Sequence, residues 1–148
     1  MSFQEKKSLV TMLATVIIVG FYCIYVFGIH SEQSLNPDID FQFWGITALL
    51  ILPTIIVVNI ISHILFGIFY TITANEKPTY DTDERDKLVE LRSNQNSFMV
   101  FTFGYMLSMV SLALGWPAYY LFNILIISQL LSSIMWSASN FYYYKRGF

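Results

Sequence analysis

The sequence predicts an all-α fold: an integral membrane four-helix bundle made of two transmembrane hairpins, N-in and C-in. Three observations carry that prediction. Hydrophobic residues make up 55% of the chain and charged residues 12%, against roughly 45–50% and about 25% in soluble domains. A domain of this size has too much surface to hide that much apolar material, so lipid must be its solvent. Finally, four stretches long enough to cross a bilayer carry no charge, and the charges gather in the short segments between and around them. At 148 residues the length allows one domain, residues 1–148.

The first span is about 8–29. Ser8 to Ile29 is uncharged over 22 residues, which at about 1.5 Å per residue crosses a hydrocarbon core of roughly 30 Å. Lys6 and Lys7 precede it, as in a signal peptide. The apolar run exceeds the usual length of about 7–15 residues, however, and no small-x-small cleavage site follows, so it reads as a retained helix. Residues 30–42 form a polar loop with only acidic charges, Glu32, Asp38 and Asp40, and with a turn signal at Asn36-Pro37-Asp38. Phe41, Phe43 and Trp44 mark re-entry at headgroup depth. The second span, about 43–74, has no charge over 32 positions. It is too long for a straight crossing and should tilt, kink or protrude, with Pro53 as the place for a kink.

Residues 76–96 are the hydrophilic centre, read as a cytoplasmic amphipathic segment. Glu76-Lys77-Pro78 is a break. Asp81 is the expected N-cap of the next helix, with Glu84 as its capping-box partner. Asp83 and Glu84 suit the positive helix end, and Asp83 has the spacing to pair with Lys87. Leu88, Leu91, Gln95 and Phe98 share one helical face, so this helix should run on into the third span, about 97–115. Gly104, Ser108 and Ser111 are small residues three or four apart, a helix-packing stripe that lets backbones approach in lipid. Gly115-Trp116-Pro117 is a tight turn into the fourth span, about 118–144. That span ends in Phe141 to Tyr144 and Lys145-Arg146, an interfacial anchor.

Orientation follows from the basic residues. All eight lie at Lys6 and Lys7, at Lys77, Arg85, Lys87 and Arg92, or at Lys145 and Arg146. Four crossings put those three places on one side, and the positive-inside rule makes it cytoplasmic. The expected location is the cell membrane, multi-pass, with the lipid bilayer as obligate surroundings. A net charge of −2 argues against nucleic acid as a partner.

Chemistry is sparse. Ionisable residues inside a membrane usually mark transport or proton relay, and no span contains an Asp, Glu, Lys or Arg. Cys23 is the single cysteine, which excludes an intrachain disulfide. No metal or cofactor is expected, since a metal site needs three or four ligands. Four residues form a candidate intramembrane polar site: Asn59 and His63, one turn apart on the second span, with Asn123 and Gln129 on the fourth. Gln129, Ser133, Trp136 and Asn140 recur along one strip of that fourth span. The simpler account, preferred here, is that these groups glue helices together; the sharper one is a solute pathway. Asp83, Glu84, Arg85 and Asp86 form a candidate cytoplasmic docking cluster, denser than orientation alone requires. Exposed pairs of this kind contribute little stability.

The run Asp83-Glu84-Arg85-Asp86, followed by Leu88-Val89-Glu90-Leu91-Arg92 and then a span, resembles the central motif of small prokaryotic four-span membrane proteins of unassigned activity. The resemblance implies a bacterial or archaeal cytoplasmic membrane and supplies no chemistry. The expected function is therefore a non-enzymatic interaction or regulatory protein. It would oligomerise with its own kind or hold a cytoplasmic or membrane protein partner through residues 76–96. The alternative is a small transporter or channel built on the intramembrane polar site. An enzyme is not expected, because no nucleophile–base pair or ligand set is visible.

Overall fold

The computed structural model describes residues 3–29, 41–74 and 83–146. Helix α1 (Phe3–Cys23) continues as a π-helical segment, Ile24–Ile29; α2 spans Phe41–Ala74, α3 Glu84–Ala113 and α4 Ala118–Arg146. All four helices are long and apolar enough to cross a membrane. The described residues thus form an all-helical, four-helix architecture, that of a small polytopic membrane protein. The 30–40 loop with His30, the Glu76-Lys77-Pro78 break and the proposed Asp81 cap lie outside the described residues.

The helices are ordered α2, α1, α4, α3 in space. The pair α1 and α4 is central, and α1 presents Ser8, Thr11, Thr15, Ile18, Tyr22 and Val26 as its buried face, at the spacing of one helical stripe. On one flank α2 rests on α1. It reaches α4 near its first turn, where Trp44 stacks on Phe122 at 5.7 Å between ring centroids. On the other flank α3 packs tightly on α4. Among the described residues α2 and α3 make at most sparse contact. A gap therefore separates the two outer helices.

The α3–α4 hairpin owes its closeness to small side chains. Gly104, Ser108 and Ser111 are all buried. A Cβ on Gly104 would overlap Ser128 Oγ and Cβ, so glycine is the residue this approach admits. Further along, Ser97 Oγ donates to the Ser132 carbonyl and Ser132 Oγ to the Ser97 carbonyl, each at 3.0 Å. Asn96 Nδ2 donates to Ser139 Oγ at 3.1 Å and to the Tyr143 hydroxyl at 3.2 Å. The connection is a Schellman turn. Gly115 takes φ +75°, its N–H bonds to Leu112 O, and the Trp116 N–H bonds to Ser111 O.

Two expectations need correction or refinement. The cap of α3 is Asp83, whose carboxylate accepts from the Glu84 N–H at 2.7 Å. Asp83 holds an extended backbone next to the first helical residue, which is what a capping carboxylate needs. That role, rather than pairing with Lys87, is the one its side chain fills. Helix α2 remains helical through Pro53, and the Thr54 hydroxyl donates to Leu50 O at 2.7 Å one turn back.

The bundle has two unlike ends. At the turn end, Ile18, Tyr22, Val26, Phe43, Trp44, Ile126 and Leu130 form a dry cluster. At the charged end, Lys6 sits over the Tyr70 ring at 5.5 Å, and the beginnings of α1 and α3 meet the ends of α2 and α4.

Candidate functional site

The gap between α2 and α3, floored by α1 and α4, is a polar cavity. Its deep chamber has a volume of about 340 Å³. Helix α1 contributes Thr11 and Thr15, α2 contributes Asn59 and His63, α3 contributes Asn94 and Ser97, and α4 contributes Gln129, Ser132, Ser133, Trp136 and Ser137. A mouth of about 160 Å³ adjoins it and shares Thr11, His63 and Trp136. The mouth adds Lys7, Ser8, Asp86, Glu90, Asn140 and Tyr144. Asn59 lies eleven residues inward of Tyr70, about 16 Å along the helix axis. The chamber therefore reaches roughly the middle of a 30 Å hydrocarbon core.

Local chemistry explains why these polar groups tolerate that depth. Thr11 Oγ1 donates to Lys7 O at 3.1 Å and lies 2.9 Å from His63 Nε2. The Thr11 hydroxyl is thus shared between its own helix and the imidazole of the neighbouring one. This is the polar link between α1 and α2 at chamber depth. The Thr15, Ser133 and Ser137 hydroxyls donate to the carbonyls of Thr11, Gln129 and Ser133 at 2.9, 3.2 and 3.2 Å. Such back-bonding satisfies the hydroxyl hydrogen within the helix and leaves the oxygen lone pairs free.

One atom of a wall residue is unsatisfied. Asn59 Oδ1 is buried away from the cavity and has no hydrogen-bond partner among the described residues. Trp44 Nε1 and Ser93 Oγ share that condition, but neither residue lines the cavity.

Of the sequence-predicted polar site, Asn59, His63 and Gln129 come together in the chamber. Asn123 does not join them. It lies toward the turn end, where its Oδ1 accepts from the Tyr22 hydroxyl at 3.2 Å and its Nδ2 donates to Tyr119 O at 3.0 Å. The Trp44–Phe122 stack lies on the same side of the chamber, where an apolar cavity of about 310 Å³ between α1 and α2 is lined by Ile18, Tyr22, Thr47 and Ile51. The charged cluster also divides. Asp83 caps α3, Glu84 and Arg85 are exposed, and Asp86 is half-buried at the mouth. Sequence reasoning missed Thr11 and Thr15, although Ser8, Thr11 and Thr15 recur at helical spacing along the first span. It also missed Lys7 and Glu90 as mouth residues. Among the described residues no three His, Cys, Asp or Glu side chains group as metal ligands.

Comparison of the chain with protein-family models, with curated proteins and with solved structures gives no match.

Proposed function

We propose that the protein is a small membrane transporter or channel, and that the polar chamber is its solute site. The observation that carries this reading is the polar cavity between α2 and α3. Asn59, His63 and Gln129 line a space that joins the charged mouth through Thr11, His63 and Trp136. A polar site near the bilayer midplane is the usual geometry of solute carriers.

The basic residues at the charged end, among them Lys6, Lys7, Arg85, Lys87, Arg92, Lys145 and Arg146, support a cytoplasmic position for the mouth. On this reading the location is a cytoplasmic membrane with the beginning of α1 and the end of α4 inside. The interaction or regulatory reading keeps one supporting observation: Glu84 and Arg85 are exposed on the first turn of α3, where a cytoplasmic partner would reach them.

The test uses the purified chain in liposomes, with solute entry followed by stopped-flow light scattering. Gln129→Trp, which fills the chamber, should abolish protein-dependent entry. Glu84→Ala/Arg85→Ala should leave it intact. Entry that survives the filled chamber would refute the reading.

A further inference from the structure

We infer that the apolar cavity between α1 and α2 holds one hydrocarbon chain of a membrane lipid, and that this chain completes the packing of the two helices. The inference is independent of the transport reading.

Position comes first. On α1 the cavity wall runs from Ile17 to Tyr25, nine and seventeen residues beyond Ser8, or about 14 and 26 Å along the helix axis. That is the half of a roughly 30 Å hydrocarbon core remote from the charged mouth. The two helices are joined on either side of it. Toward the charged end Thr11 Oγ1 meets His63 Nε2 at 2.9 Å; at the other end the Tyr25 and Phe43 rings stack at 6.2 Å. Between these contacts α1 and α2 stand apart around a space of about 310 Å³. The bilayer can reach it. Ile17, Phe21 and Leu50 line the cavity and are all more than half exposed, and Ile51 and Val58 line it half-buried.

The wall decides the content. A buried water needs about two to four polar partners, and this wall turns its hydroxyls away. Thr47 and Thr54 donate to Phe43 O and Leu50 O at 2.8 and 2.7 Å, and Tyr22 donates to Asn123 Oδ1 at 3.2 Å. An empty space costs packing in proportion to its volume, and liquid hydrocarbon stands at its rim. A helix about 10 Å across occupies roughly 400 Å³ in a single turn, more than the cavity offers, so no neighbouring helix enters. A lipid chain is thin and flexible and asks for no hydrogen bond. A methylene is close in volume to a water, so at about 30 Å³ each the cavity takes roughly ten chain carbons.

The experiment places the full chain, deuterated except at isoleucine and valine methyls, in nanodiscs of dioleoylphosphatidylcholine. Nuclear Overhauser effects are read from Ile51 and Val58 to the lipid chains. Ile56 is the control, since it is 59% exposed on the same helix and does not line the cavity. Ile51 and Val58 should show chain contacts as strong as those of Ile56, despite their burial, and no contact with water. Thr54→Trp sets a ring over the cleft one turn from both; it should weaken their chain contacts severalfold and leave those of Ile56 unchanged. Thr54 is exposed, and thermal unfolding checks the fold. Ile17→Trp, on the opposite rim, should act alike and stands in if the first variant misfolds. Contacts from Ile51 and Val58 to water, to the methyls of a differently labelled second copy, or to nothing would overturn the inference. So would chain contacts undiminished in a folded variant.

Discussion

Replacing Gly104 with alanine isolates the closest contact in the bundle. The added Cβ would overlap Ser128 Oγ and Ser128 Cβ, far inside the ordinary contact that begins near 3.4 Å. The Ser128 hydroxyl can rotate away, but its Cβ is fixed to the helix. The two backbones must therefore separate by on the order of 1 Å, against a packed interface that resists such shifts. Overpacking of this kind destabilises by about 1–3 kcal/mol, and the distances place Gly104→Ala toward the upper end. The measurement is unfolding in mixed micelles by titration with a denaturing detergent, read by intrinsic fluorescence. Partner substitutions sharpen it. Ser128→Gly leaves its Cα 3.5 Å from the new methyl, an ordinary contact, and should restore most of the loss. Ser128→Ala keeps the Cβ and should restore little. Equal rescue by both, or a Gly104→Ala protein as stable as the parent, would refute the steric account.

Two further outcomes follow from the same contacts. Asp83→Ala should destabilise the start of α3 by about 1 kcal/mol, with Asp83→Ser retaining most of the capping; amide exchange at Glu84 to Lys87 reports it, and unchanged exchange would count against Asp83 as the cap. Thr11→Val with His63→Phe in a double-mutant cycle should give a coupling of about 0.6 kcal/mol, the average for interhelical hydrogen bonds in membranes. A coupling indistinguishable from zero would mean that α1 and α2 are not joined there.

The fold was legible because its signals are long. Twenty-odd uncharged residues in a row need no partner information to be read as a span, and Gly115 before Trp116-Pro117 announces its turn. The site was legible in part. Asn59 and His63 share a face by spacing alone, and Gln129 belongs to a visible polar strip. That Asn123 pairs with Tyr22, well away from the others, depends on how α1 settles against α4, which no local pattern encodes. Asp83 as the cap in place of Asp81 reflects another limit: several acids in succession offer several helix starts, and backbone geometry chooses between them. The hydroxyls of Thr11 and Thr15 were hidden in plain view, because threonine in a membrane helix normally bonds its own backbone and signals nothing. Their meaning came only with His63 and Asn59 set opposite.

The Schellman turn between α3 and α4 also constrains how the chain is made. These two helices are the less apolar pair of the four, and both are studded with serine and asparagine. Presented singly to a translocon, each would carry unpaired polar groups into oil. With so short a link, neither helix can wait in water while the other crosses. The two are expected to insert together as a hairpin, in which the Ser97–Ser132 pair can close the polar seam between them.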